Sequence, residues 1–414
     1  MYNPAETQEE TIIESLFPLK AVRRITLEEL PLEDIPLKAN TFRVCLEAKR
    51  SGLFNWRSMS NITGKGVERE NSKNKTGNRY GYFDKARREF VITDPRTPRP
   101  WFNYMWNSSY TGLISHTGGG FSYYLSARDN RITRMRYNSL PWDRPGRYIY
   151  LKDTESGEFW SLSWAPTLNV AYDHYECRHG SGYTTIITEY AGIRAELSYF
   201  VPNQLTGEIW SVSCRNLSGR PRHLEVYAFT ELLMGNALND LINQPNDKHF
   251  TEIFYDKARQ TLCATRRYWV LNKGVSVKQS NIDWKYRVMF TSTLPVTGFD
   301  SSLDEFIGKW HSEADPVAIV NSTMGNTEIT SGDPCAALQS VLELKAEEKT
   351  HFSILMMLAE KNNDPCSCKV INGRDINSLR SQTTTLNGNS LRFIENGKRS
   401  MTRLRWKHPI APLI

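Results

Sequence analysis

Short segments of alternating polarity follow one another from Arg79 to about Leu358, and they constrain the fold more than any other feature of the chain. Apolar residues tend to recur at every second position within these segments, and turn-forming residues separate them. A period of two is the side-chain repeat of a strand, whereas a helix repeats every 3.6 residues. The pattern predicts an all-β domain, a large antiparallel β-sandwich, over residues 79–360.

One hairpin can be placed residue by residue. Two alternating segments between Tyr183 and Pro202 meet at Ala191 and Gly192, which suit a tight turn. One face of the returning segment carries the apolar residues Ile193, Ala195, Leu197 and Tyr199. We therefore expect a hairpin with this face directed into the core.

Both ends of the chain differ from the middle. Residues 1–78 are predicted to form an irregular N-terminal extension that ends in a polar, glycine-containing linker. Residues 361–414 are predicted to form a linker remnant and a short basic tail, partly helical or disordered, because no periodic apolar face is present. We expect both ends to be less ordered than the sandwich.

The formal net charge of +7 does not indicate a nucleic-acid partner. Residues 361–414 hold ten lysines or arginines and three acidic residues, so they account for the whole excess. A neutral sandwich suits an uncharged partner such as a sugar.

Cysteine usage and the start of the chain favour a cytoplasmic location. Seven scattered cysteines do not form a disulfide pattern, and Cys366 and Cys368 are read as ordinary thiols rather than metal ligands. No signal-peptide pattern and no apolar run of about 18 residues occurs, so no membrane partner is expected.

Three consecutive glycines form the first candidate site. Gly118, Gly119 and Gly120 lie in the run HTGGGFSYYLSARDNRITRMRYNSLPWDRPGRYIYL, and they lack a Cβ atom, so the backbone can approach a ligand closely. We interpret the run as a wall of a carbohydrate-binding site. The alternative is a glycine-rich hairpin without a ligand.

Arg178 and His179 form the second candidate, just before a Gly-Ser-Gly turn in YECRHGSGYTTI. His179 could reach a ligand, or it could hydrogen-bond the backbone of its own turn. Four further arginines alternate with other residues, and we expect them to pair with acidic groups of a following domain rather than with RNA: Arg128, Arg131, Arg134 and Arg136. The tryptophans that suit sugar stacking, although most are expected in the core, are Trp101, Trp106, Trp142, Trp160 and Trp164.

Four long segments taken in order, from about Tyr80 to Glu360, carry a family resemblance. They are YGYFDKARREFVITDPRTPRPWFNYMWN, the glycine run, YECRHGSGYTTI and NALNDLINQPNDKHF. Together they resemble the amino-terminal domain of glycoside hydrolase family 94, the inverting β-glucoside phosphorylases formerly called glycosyltransferase family 36. The resemblance implies a β-supersandwich similar to galactose mutarotase, which a catalytic barrel of helical hairpins follows in the family. We expect that barrel to be absent from these 414 residues.

The family chemistry implies no catalytic residue in this chain. Inverting phosphorolysis needs a general acid to protonate the leaving oxygen, while phosphate attacks the anomeric carbon from the opposite face. In the family the acid and the phosphate site belong to the barrel. We therefore expect no metal and no cofactor, with inorganic phosphate as co-substrate of the full-length enzyme.

A third candidate site follows from the resemblance. In family dimers, a loop of the sandwich reaches the partner's active site near the acceptor sugar, and the segment Gly235–Asp247 matches this loop. Asn236, Asp240 and Asn243 offer amide and carboxylate groups for hydroxyl recognition, although the two asparagines could instead satisfy turn backbone. Some relatives have an arginine near the end of this loop, where Asn246 or a neighbour aligns here, so the acceptor stays open.

We predict that the chain is the carbohydrate-binding and dimer-contact portion of an inverting β-glucoside phosphorylase, and that it is inactive alone. The alternatives are a stand-alone carbohydrate-binding or regulatory β-sandwich module, or an enzyme that acts from the sandwich itself. Expected partners are a β-linked gluco-oligosaccharide or disaccharide, with a homodimer or a separate catalytic barrel. Cellobiose, chitobiose, laminaribiose and β-1,2-glucan all stay open as substrates.

Overall fold

The computed structural model describes residues 79–136, 143–168, 170–203, 205–267, 284–361, 369–370 and 374–375. Strands make up 52% of the structure and helix 9%, and the strands pair antiparallel, as the alternating pattern predicted. The N-terminal extension, most of the basic tail, Trp142, Cys366 and Cys368 lie outside the described residues. No helix in the described part is both long enough and apolar enough to cross a membrane.

The strands, numbered in chain order, are β1 Gly81–Asp84, β2 Glu89–Ile92, β3 Phe102–Trp106, β4 Tyr110–Ser115, β5 Ser122–Tyr124, β6 Arg131–Thr133, β7 Arg147–Asp153, β8 Phe159–Ser161, β9 His174–Gly180, β10 Tyr183–Tyr190, β11 Ile193–Phe200, β12 Gly207–Asn216, β13 Arg222–Gly235, β14 Thr251–Asp256, β15 Thr261–Arg266, β16 Tyr286–Ser292, β17 Val296–Ser302, β18 Pro334–Leu344, β19 Lys349–Glu360, β20 Lys369–Val370 and β21 Arg374–Asp375. The helices are α1 Ala237–Asp247, α2 Leu303–Ile307 and α3 Val317–Val320, and a 3₁₀ turn follows α1 at Lys248–Phe250.

The strands form two sheets. The described residues give the first sheet twelve strands, in the order β1-β2-β9-β10-β11-β12-β19-β16-β15-β14, with β20 and β21 attached beyond β19. The second has nine, in the order β17-β18-β13-β6-β5-β4-β3, with β7 paired to β13 and β8 paired to β7. One apolar cluster contains residues of both sheets, such as Leu197 of β11 and Leu224 of β13, so the sheets enclose a shared core.

The predicted hairpin is confirmed. Strands β10 and β11 pair antiparallel from Tyr183↔Phe200 to Tyr190↔Ile193, and Ala191 and Gly192 both have positive φ, at +51° and +76°. Positive φ at both central residues is the geometry whose twist matches paired strands. The predicted inward face is buried at Ile193, Ala195, Leu197 and Tyr199.

Strand β13 positions the candidate site. It is 14 residues long, and it pairs with β18 along one side and with β7 and then β6 along the other. At Gly235 the strand ends, and Asn236 begins helix α1. The base of this helix therefore rests on the most extensively paired strand of the second sheet.

A buried ion pair lies between the sheets, and the sequence analysis did not single it out. Arg147 of β7 and Glu208 of β12 contact each other, and both side chains are 0% exposed. Glu208 also accepts hydrogen bonds from Tyr110 (3.2 Å), Ser122 (2.5 Å) and Trp210 (2.8 Å). Buried charges require such pairing, so this network stabilises the packing of β7 against β12.

Candidate functional site

The three glycines of the first candidate are buried where backbone segments cross. Gly118 and Gly120 have φ of +85° and +116°. A Cβ atom at Gly119 would lie 2.3 Å from the carbonyl oxygen of Asp143, and one at Gly120 would lie 2.3 Å from that of Leu113. The glycines are therefore required by contact with protein backbone. Direct contact with a sugar stays a prediction.

His179 lies close to a second histidine, His116, which is the first residue of the glycine run. The Trp101 backbone N–H donates to Nδ1 of His116 (3.2 Å), and Nε2 of His179 donates to the Trp101 carbonyl (3.1 Å). Nε2 of His116 donates to the Pro95 carbonyl (2.9 Å), and Nδ1 of His179 accepts from Thr184 (2.9 Å). These partners assign each ring as the neutral Nε2–H tautomer. His179 thus bonds the distant Trp101 backbone rather than the backbone of its own turn, and its contact with a ligand stays a prediction.

Burial controls the charge of both rings. Burial, together with the nearby His116, lowers the pKa of His179 to about 3. Burial likewise lowers the pKa of His116. Both rings are neutral at pH 7, and protonation would break a hydrogen bond to Trp101 or Thr184.

His179→Gln is expected to remove part of the acid sensitivity of the fold. A histidine in the unfolded chain has a pKa of about 6.5. Between pH 7 and 5 the unfolded chain therefore binds a proton at position 179, whereas His179 in the folded protein stays neutral. This contribution is fully present above about pH 6.5 and decreases as the pH falls towards 3; at pH 5 about 2 kcal/mol is lost. Urea unfolding at both pH values measures the loss for wild type and variant. The exposed His249→Gln is the control, and equal acid sensitivity of all three proteins would contradict the expectation.

Arg178 joins the edge strands of the first sheet. It contacts Glu176 on its own strand β9, Glu89 of β2 (3.0 Å) and Asp84 of β1 (3.4 Å). These three carboxylates hold the guanidinium group in a partly buried position. Its predicted role in binding a ligand stays a prediction.

The third candidate segment is a kinked helix, α1, rather than an open loop. The Asn236 side-chain oxygen accepts from the backbone N–H groups of Leu238 (2.9 Å) and Asn239 (3.1 Å), which caps the helix. Its amide group donates to Asp129 (3.0 Å). Asn243 has a non-helical backbone within the helix and is exposed. Asn236 therefore satisfies backbone, whereas Asn243 is available at the surface.

A cluster of buried charges anchors this helix. Arg134, whose side chain is 1% exposed, donates to both carboxylate oxygens of Asp240 (2.8 and 3.2 Å) and lies 3.5 Å from Glu231. Glu231 also accepts from Arg136 (2.7 Å), and Arg136 contacts Glu313 (3.0 Å). The expectation that these arginines pair with a following domain is wrong for Arg134 and Arg136. Strands β6 and β13 are neighbours, which brings the partners together inside the sandwich.

A cavity of about 210 Å³ opens beside the helix, lined by Arg131, Arg134, Arg136, Asp240 and Gln244 among others. The helix α1 also carries exposed apolar side chains: Leu238, Leu241 and Ile242 are 50%, 60% and 73% exposed, and Leu241 borders the cavity. Charged groups beside an apolar helix can contact sugar hydroxyls and another protein surface. Among the described residues, no group of three or more His, Cys, Asp or Glu side chains is placed to hold a metal ion.

The tryptophans considered for sugar stacking differ in how deeply they are buried. Trp160 is 1% exposed and belongs to the core, whereas Trp106 is 41% exposed. Trp101 and Trp164 are partly buried. The sequence analysis missed His116 and Glu231. A glutamate within the apolar run of β13 was the available signal for Glu231, because such a charge must be paired when buried.

Residues 88–369 match the family model described as glycosyl hydrolase 94, supersandwich domain. The chain is 34% identical to N,N′-diacetylchitobiose phosphorylase of Vibrio furnissii over 295 residues, covering 70% of this chain and 35% of that protein. It is 29% identical to solabiose phosphorylase of Paenibacillus borealis over 286 residues, covering 68% and 35%. The chain spans about a third of the length of these relatives. A bacterial glucoamylase structure covers 76% of this chain, and the chain covers 40% of it, with 8% identity and a TM-score of 0.41.

Proposed function

Because the chain belongs to glycoside hydrolase family 94 through its supersandwich domain, we propose that it supplies the carbohydrate-binding and dimer-contact portion of an inverting β-glucoside phosphorylase. The two relatives described above are phosphorylases by name. The complete reaction would transfer a sugar from a β-linked disaccharide to phosphate and release a sugar 1-phosphate. Inorganic phosphate would be the co-substrate.

Helix α1 is the observation that carries this proposal. Its base is fixed by the Arg134–Asp240 pair and the Asn236 cap, while Leu238, Leu241 and Ile242 are exposed. A helix that is held rigidly at its base and is apolar outside is suited to contact a second subunit. Asn243 and Gln244 would then reach sugar hydroxyls at the boundary between the two subunits.

The proposed function assigns the general acid to residues outside this sandwich. Glu231 is a residue within the sandwich that could be considered as a general acid. Burial raises its pKa to about 7, although Arg136 and Arg134 act to lower it. That value would suit a general acid near neutral pH. Its side chain is 0% exposed, however, and Arg136 already donates to both of its oxygens. A glycosidic oxygen has no access to it, so its role is to hold Arg134 and Arg136.

The test removes the apolar surface of the helix without touching its base. The double variant Leu241→Asp/Ile242→Asp is expected to weaken self-association at least about tenfold, since each side chain would bury an apolar area worth about 1.5–3 kcal/mol. Sedimentation velocity of the full chain over a range of concentrations measures this effect. Leu217→Asp is the matched control, because Leu217 is 39% exposed and precedes the far end of β13.

Three results would contradict the proposed function. The first is a wild-type chain that stays monomeric at every concentration, and the second is a double variant that associates as the wild type does. The third is catalysis by the chain alone, because we expect it to release no more phosphate from glucose 1-phosphate and an acceptor than a heat-killed control does. Turnover there would place the general acid within this chain.

A further inference from the structure

A cavity of about 270 Å³ opens next to His116, between the segment 95–100 and Trp164. It shares no lining residue with the cavity beside helix α1. Ligand cavities in proteins usually enclose about 300–1,000 Å³, so this one is the size for a single sugar ring. It is therefore a separate site that the helix does not explain.

One wall of the cavity is fixed in place. Thr97 Oγ1 donates to the Arg99 carbonyl (2.6 Å), and His116 Nε2 donates to the Pro95 carbonyl (2.9 Å). Prolines 95, 98 and 100 restrict the backbone further. A wall that is held this way is pre-organised and loses little entropy when a ligand binds.

A buried carboxylate lines the cavity. Asp143 is 7% exposed, and its Oδ2 accepts from the hydroxyls of Ser115 and Thr117, both at 2.5 Å. Oδ1 receives no hydrogen bond from any residue that the structure describes. An oriented carboxylate with one oxygen left over is an acceptor for the hydroxyl of a ligand.

The lining also contains an aromatic ring on strained backbone. Trp164 has φ of +70°, a conformation that costs a residue other than glycine about 1–3 kcal/mol and that concentrates at functional sites. The Arg96 guanidinium carbon lies 5.9 Å from the centroid of its ring. The indole of Trp164 is thus held in the lining of the cavity, which Asp143 also lines, at a cost in stability.

We propose that this cavity is a second carbohydrate site, which takes one pyranose of a β-linked glycan. The apolar face of the sugar would pack on Trp164, and a hydroxyl would donate to Asp143 Oδ1. Arg96, Arg99 and Arg144 also line the cavity, so an anion such as inorganic phosphate is the competing occupant that the test must separate from a sugar. The choice of a sugar as the ligand rests on the proposed function. The position of the site, in contrast, is argued from the cavity alone.

Saturation-transfer NMR on the full chain tests the proposal with cellobiose and N,N′-diacetylchitobiose as probes. Trp164→Gly removes the indole and suits the positive φ, so the fold is expected to persist. Trp310→Gly is a close match, because Trp310 is fully exposed and has φ of +69°. Sugar affinity is expected to fall at least about tenfold in Trp164→Gly and to stay unchanged in Trp310→Gly. Asp143→Asn, which keeps the side-chain volume, is expected to weaken binding as well and serves if Trp164→Gly does not fold.

Four results would overturn the assignment. They are a wild-type chain that binds neither sugar, undiminished binding by both Trp164→Gly and Asp143→Asn, an equal loss in Trp310→Gly, and displacement of the sugar by inorganic phosphate. Leu241→Asp/Ile242→Asp is expected to bind the sugars normally at this site. Its effect on self-association judges the proposed function separately, so failure of one idea is distinguishable from failure of the other.

Discussion

Replacing Arg147 with methionine is expected to lower the free energy of unfolding by about 3–5 kcal/mol. Arg147 contacts Glu208 between the two sheets, and its Nη1 donates to the Leu113 carbonyl (2.9 Å). Methionine fills much of the volume but leaves the Glu208 carboxylate buried without a counter-charge. An uncompensated buried charge costs far more than the lost contact itself.

Urea unfolding followed by circular dichroism measures this loss. Arg215→Met is the control, because the Arg215–Glu347 pair has side chains that are 51% and 58% exposed, and such pairs contribute about 0–1 kcal/mol. The double variant Arg147→Met/Glu208→Leu is expected to recover part of the stability, since it removes both charges. Equal losses in Arg147→Met and Arg215→Met would show that the buried pair is not essential.

Replacing Gly120 with alanine is expected to lower the free energy of unfolding by about 3 kcal/mol or more. Its φ of +116° is strained for any L side chain, and the new Cβ would lie 2.3 Å from the Leu113 carbonyl oxygen. That oxygen belongs to β4, so either β4 or the glycine run must move. Movement of the run would also disturb the Gly120 N–H, which donates to the Asp143 carbonyl (2.9 Å).

Thermal unfolding of Gly120→Ala and Gly219→Ala provides the comparison. A Cβ at Gly219 meets nothing within 4 Å, so that change is expected to stay within about 0.5 kcal/mol of wild type. Similar melting temperatures for the two variants would mean that the run is not closely packed. That result would favour the interpretation of the glycine run as an open wall of a ligand site.

The sequence alone determined the fold class and the hairpin from Tyr183 to Phe200. Both depend on local information: a period of two selects strands, and the Ala191-Gly192 turn fixes which residues pair. It also located the segments that matter, since the glycine run and the segment Gly235–Asp247 both lie at cavities. Their chemistry was not equally visible, because a glycine required by a ligand and one required by neighbouring backbone look the same in a sequence.

Only the tertiary structure decided which charges meet. Arg134 and Asp240 are 106 positions apart, and Arg147 and Glu208 are 61 apart, yet each pair is buried in contact. Periodicity places a side chain on a face of its own strand, but it carries no information about which strand lies beside it. The order of the strands within each sheet, and the packing of one sheet on the other, set those partners. The same packing gave Arg134 and Arg136 acidic partners within the sandwich, and it brought Trp164 to the cavity that Asp143 lines.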